Sequence, residues 1–183
     1  MELKLERKGL EKKFYELCLQ VVEEQGLDLY GLDYVNGQNL LRLYVENPET
    51  KTAQLEDCAK VDRALTPFFE TEEWMPEEVT LEVSSPGVYR DVKEAYHFEH
   101  LVGERLALTL SNKLTTEDIL QGSVTAAEKK LLKDKKITVY LAGFSEEGLE
   151  VSAEKESKNV LRIQLENIKR ANVEPLWDDI KEH

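Results

Sequence analysis

The sequence is poor in the features that announce specialised classes of protein. Its 183 residues include two cysteines, Cys18 and Cys58, too few for the disulfide framework of a small secreted domain. Both fall on apolar stripes of helix-like stretches, where a thiol serves as a small core hydrophobe rather than a nucleophile. With nine glycines and five prolines, a collagen-like or low-complexity chain is excluded. No apolar run approaches the ~20 residues of a membrane-crossing helix, and Leu106-Ala107-Leu108 is typical of the longest. The opening residues Met1-Glu2-Leu3-Lys4-Leu5-Glu6-Arg7-Lys8 lack the apolar segment of a secretory signal, so a cytoplasmic location is expected.

Catalytic and cofactor patterns are equally scarce. There is no G-x-x-x-x-G-K-[ST] phosphate loop, no G-x-G-x-x-G turn, no H-E-x-x-H and no paired C-x-x-C. His97 and His100 are three residues apart with Glu94 one turn earlier, but they lack a recognisable third ligand for zinc. Glu72-Glu73 and Glu77-Glu78 flank Trp74, and adjacent carboxylates do not supply the convergent geometry of hydrolysis. The expectation is a protein that is not an enzyme and needs no metal or cofactor.

Charge is what the chain does have. The net charge is −13, from 24 basic and 37 acidic side chains. Residues 1–92 carry 10 basic and 20 acidic groups, whereas residues 93–183 carry 14 and 17. An acidic first half disfavours indiscriminate nucleic-acid binding and steers a basic protein partner toward it, with Glu46, Glu49, Glu56 and Asp57 as candidate exposed carboxylates. The second half holds one basic run, Lys129, Lys130, Lys133, Lys135 and Lys136. It reads as a solvated loop or strand edge, or alternatively as a contact to phosphate.

Hydrophobic period divides the chain. Leu10, Phe14, Leu17, Cys18, Val21 and Val22 recur at helical spacing, with Gly26 where a left-handed cap belongs. Two strand-like runs, Leu27–Val35 and Leu40–Val45, flank Asn36-Gly37, a hairpin signal. A second helix spans Leu55–Phe69 with Thr52 as candidate N-cap, and Val79, Leu81 and Val83 alternate as a third strand. Helix-strand-strand-helix-strand predicts a two-layer α/β domain over residues 1–91. Residues 92–102 read as a connector. Alternation at 106–110, 119–124, 137–141, 149–151 and 161–165 predicts a small SH3-like or Sm-like β-barrel over 103–173, and 174–183 a terminal helix or tail. The fold class expected is α+β.

The third strand ends in Ser84-Ser85-Pro86-Gly87, whose Pro-Gly pair suits the centre of a type II turn. Thr80-Leu81-Glu82-Val83-Ser84-Ser85-Pro86-Gly87-Val88-Tyr89-Arg90 resembles the signature of the bacterial ribosome maturation factor RimP family. The helix from Leu55 to Leu65 resembles that family's second helix, and Leu165–Ala171 is similar to its closing strand. The family follows the glycine with a Leu-Asp-Arg-Pro type sequence where this chain has Val88-Tyr89-Arg90-Asp91, and residues 111–136 are longer and richer in lysine. The resemblance implies a non-catalytic assembly factor, monomeric by default, that binds the free small ribosomal subunit or its precursor near ribosomal protein S-twelve. Its candidate partner-binding or interdomain residues are Ser84, Ser85, Pro86, Gly87 and Arg90, and the lysine run becomes a candidate rRNA contact. The alternative is a KH-like RNA-binding module, which would need a G-x-x-G backbone clamp that the sequence lacks.

Overall fold

A computed structural model describes residues 7–122, 124–155 and 157–175. It is an α+β protein that divides into two compact units, one ending at Gly87 and the other running on from Val88.

The first unit begins with α1 (Gly9–Glu24), whose buried stripe is Phe14, Cys18, Val21 and Val22. The helix ends as its glycine predicts. Gly26 has φ +76, its N–H reaches the carbonyl of Glu23, and the Leu27 N–H reaches that of Val22. This pair of bonds satisfies carbonyls that the last turn leaves open. Strands β1 (Asp28–Val35) and β2 (Leu40–Glu46) pair antiparallel, and β3 (Thr80–Ser84) joins β2 in parallel. The parallel connection is made by α2 (Leu55–Thr71). Leu41, Leu43 and Val45 point to the face shared with Phe14, Val61 and Leu65. Phe14 packs against Tyr34 and Trp74, with ring centroids 4.8 and 5.3 Å apart. On the opposite face, Arg42 and the directly opposed Glu82 pair at 2.8 Å.

Two local details differ from expectation. The hairpin forms, but as a 3-10 turn over Asn36–Gln38 that ends on a left-handed Asn39 (φ 45). Asn39 is held there by tertiary bonds. Its Oδ1 accepts from the Tyr34 hydroxyl, and its carbonyl accepts from the Thr80 N–H at 2.8 Å. The N-cap of α2 is Gln54 instead of Thr52, because the Asp57 carboxylate returns to accept the Gln54 N–H. The helix also continues through Pro67 to Thr71.

The second unit holds α3 (Ala95–His100), β4 (Arg105–Leu110), β5 (Ile119–Gln121), α4 (Ala126–Leu131), β6 (Lys136–Ser145), β7 (Gly148–Ser152), β8 (Val160–Ile163) and β9 (Ile168–Val173). The strands form one sheet in the order β5-β8-β7-β6-β4-β9. Its core face presents Leu106, Leu108, Val139, Leu141, Val151 and Ile163, all buried.

The pairing stops short of the expected closed barrel. β5 is three residues long with an irregular register against β8. The outer edge of β9 is instead taken by residues 90–92. Val173 N–H donates to the Arg90 carbonyl at 3.0 Å, Val92 N–H to that of Ala171 at 2.9 Å, and Asp91 bridges Asn172. Residues 92–102 give Val92 and Phe98, both fully buried, to this core, and Phe98 stacks on Phe144 at 5.4 Å. The helix α4 was not anticipated from the sequence. Of the terminal helix expected over 174–183, residues 176–183 lie outside the described residues.

Candidate functional site

The predicted turn residues occupy the end of the first unit. Ser84 is exposed at the end of β3, and the Ser85 hydroxyl accepts the Gly87 N–H at 3.3 Å. Gly87 has φ +77, and a Cβ built there meets no atom within 4 Å. Backbone conformation rather than crowding therefore demands glycine, as a left-handed position after proline does.

Beyond it the second unit starts with exposed Val88 and Tyr89 and a half-buried Arg90. Asp91 anchors this segment. Its Oδ1 accepts from Asn172 and, at 3.1 Å, from Arg170, and Lys93 lies 3.4 Å away. Asn172 also donates to the Tyr89 carbonyl at 3.2 Å. Burial raises the Asp91 pKa, but the bonds from Arg170 and Asn172 and the charge of Lys93 outweigh it, so the carboxyl is held below its ordinary value.

The five lysines of the basic run are all exposed, but they do not form a single loop. Lys129 and Lys130 stand on α4, Lys133 follows it, and Lys136 opens β6. Lys135 turns its Nζ to the Ser111 carbonyl at 2.6 Å. The helix is fixed by Thr125 as N-cap and by Glu128, which is 1% exposed and accepts the Thr125 N–H at 2.9 Å. Burial pushes the Glu128 pKa up, but hydrogen bonds from Thr125 and Asn159 more than offset it and leave it lowered.

Of the carboxylates expected on the acidic surface, Glu49 and Glu56 are exposed. Glu46 is not. It is 7% exposed at the end of β2 and lies 3.8 Å from Lys51. Asp57 is half-buried and engaged in capping α2.

His97 and His100 have structural partners. Nδ1 of the buried His97 accepts the N–H groups of Lys93 and Glu94, both at 3.2 Å, which places the ring proton on Nε2, 2.9 Å from the Tyr96 hydroxyl. Nδ1 of His100 lies 2.8 Å from the Tyr96 carbonyl, the geometry of a donor. Among the described residues no three His, Cys, Asp or Glu side chains converge as a metal site would need. Burial pushes the Cys18 thiol up to about 12 and raises that of Cys58 as well, so neither supplies thiolate near neutral pH. No described helix is long and apolar enough to cross a membrane.

Residues 17–89 match the family model of the RimP N-terminal domain. The match runs from within α1, through the sheet and α2, to the Pro86-Gly87 turn and the two residues after it. The helix-strand-strand-helix-strand order, the turn and this match agree: residues 17–89 are similar to the N-terminal domain of RimP, a family of ribosome maturation factors.

Proposed function

We propose that this protein binds the free, immature small ribosomal subunit and promotes its assembly near ribosomal protein S-twelve. The observation that carries the reading is the RimP N-terminal domain match over residues 17–89, which includes the Ser84-Ser85-Pro86-Gly87 turn. The charge pattern supports a basic partner. Exposed Glu49 and Glu56 stand on a first half with 20 acidic and 10 basic groups, which favours encounter with lysine- and arginine-rich ribosomal proteins and discourages adhesion to bulk RNA.

The second unit is read as an SH3-like domain, folding separately from the first and supplying the specific contacts. Its register shifts, between Thr109 and Leu110 and between Leu141 and Gly143, are of the kind that bend strands in small barrels and support this reading. Ser84, Ser85, Pro86, Gly87 and Arg90 are proposed to set the passage between the units or to touch the partner. The exposed Lys129, Lys130, Lys133, Lys135 and Lys136 are proposed to contact small-subunit rRNA, and the protein is proposed to act as a cytoplasmic monomer. Sucrose-gradient sedimentation of cell lysate tests the reading. Co-migration with free small subunits and not with translating ribosomes is expected, whereas a purely soluble profile would overturn it.

A further inference from the structure

Three stretches distant in sequence meet at one end of the second sheet. Leu110 N–H donates to the Lys135 carbonyl, Ser111 N–H to the Asn167 carbonyl and Asn112 N–H to Asn167 Oδ1, each at 2.7 Å. Asn167 returns its Nδ2 to the Asn112 carbonyl at 3.2 Å, and Lys135 Nζ closes on Ser111. The end of the sheet is therefore a hydrogen-bonded rim rather than three loose loops.

That rim gathers cations. Thr109 is opposed by Lys136 on one side and Arg170 on the other. Directly opposed residues share a face, so these two stand on the solvent side with their backbones about 10 Å apart. Lys169 sits at the register shift beside Arg170, Lys113 follows the Ser111-Asn112 link, and Lys133 precedes Lys135. Asp134 and Glu166 are the acidic residues of the same three stretches of chain, against these six basic groups. Arg170 is paired with Asp91. Lys113, Lys133, Lys136 and Lys169 are exposed and, among the described residues, have no carboxylate at ion-pair distance. In a chain of net charge −13, unneutralised cations collect here because tertiary pairing brings them together.

We infer that this rim is an RNA-backbone surface that binds phosphates of ribosomal RNA, an inference that rests on the functional reading above and gives it a location. The chemistry favours RNA over an acidic protein. None of the exposed large hydrophobic residues (Leu55, Val88, Tyr89, Val102, Leu120, Val124) belongs to the three stretches of chain that form the rim. Protein interfaces are anchored by buried aromatic and apolar side chains. Phosphate contacts need only positive charge and N–H donors on a positioned frame, which the rim supplies.

The test uses the full-length protein, a short fluorescein-labelled duplex of small-subunit rRNA, and anisotropy measured across a salt series. The expected result is affinity that falls linearly with log salt, with the slope reduced by about one for each lysine removed in Lys113→Ala, Lys136→Ala and Lys169→Ala. The triple variant should bind the duplex about tenfold or more weakly at moderate salt while unfolding at the wild-type temperature. An unchanged slope in the triple variant would overturn the inference, as would polyglutamate competing as well as RNA at equal charge. Gradient sedimentation separates this inference from the functional reading. Duplex binding lost in the variant with wild-type protein still on small subunits supports both. Rim-dependent duplex binding by a protein absent from small subunits supports a phosphate surface but overturns its assignment to ribosomal RNA.

Discussion

At residue scale the informative positions are those whose chemistry has no substitute. Gly87 holds φ +77 with open space around it, so Gly87→Val strains the backbone by about 1–3 kcal/mol without a steric clash. Thermal unfolding should show that loss, and Gly87→Asn, whose side chain tolerates the left-handed region, should recover most of it. Glu128 is a second such position. It is buried and caps α4 through Thr125. Glu128→Ala leaves the Thr125 and Asn159 donors unmatched, and a cost of about 1–3 kcal/mol is expected in the denaturant midpoint of the second unit.

The same carboxyl and Asp91 make the second unit sensitive to acid. Both have folded pKa values below their ordinary ones. In the window between folded and unfolded pKa the unfolded chain binds more protons, so stability rises with pH there. Their contribution is complete above the ordinary carboxylate range of about 4–4.5 and is lost as pH falls through the depressed values. Asp91→Asn should therefore flatten the acid side of a stability-versus-pH curve measured by urea denaturation. An equally steep loss in the variant would show that other carboxylates dominate.

At element scale the segment after the turn matters most. Residues 90–92 pair with β9, and Phe98 of α3 is fully buried against Phe144. Phe98→Ala should cost about 3–5 kcal/mol, read as a lowered unfolding temperature of the second unit with that of the first unchanged. Exposed chain is confined to a few residues, since Gly87, Val88 and Tyr89 are exposed whereas Val92 is fully buried. Limited proteolysis should cut there first and release two folded fragments. A first cut inside α3, or fragments lacking ordered structure, would contradict separate folding of the units.

At the scale of the whole molecule, charge is unevenly distributed. On the proposed reading, the acidic first half meets a basic protein and the cationic rim of the second unit meets RNA. Exposed charges act over ~8 Å at physiological ionic strength, so association with a purified basic ribosomal protein should slow markedly as salt rises. Charge reversal at Glu49 and Glu56, both exposed, should lower the on-rate more than it raises the off-rate. Glu46→Lys is a poor probe of steering, because it places a cation beside Lys51 in a nearly buried site. Stopped-flow rates indifferent to salt and to both reversals would leave the acidity as a solubility feature.

The sequence by itself determined the elements whose signals are local. Amphipathic period marked α1 and α2, alternation marked β1, β2 and β3, and glycine chemistry marked the ends at Gly26 and Gly87. These outcomes depend on side-chain period and on allowed φ, which nearby residues settle among themselves. The same local legibility let Ser84-Ser85-Pro86-Gly87 point to the family. Tertiary structure alone decided the rest. Asn39 took a left-handed position where Tyr34 and Thr80 bind it, and Gln54 displaced Thr52 as cap once Asp57 folded back. The sheet's hydrogen bonding stayed open because residues 90–92 occupy the edge of β9. The run Lys129–Lys136 is contiguous in sequence but divided in space, while Lys136 and Arg170 become neighbours across Thr109. Strand register joins residues by hydrogen bonds that carry no trace in local composition, so the cationic rim is a property of the fold and the acidic bias a property of the chain.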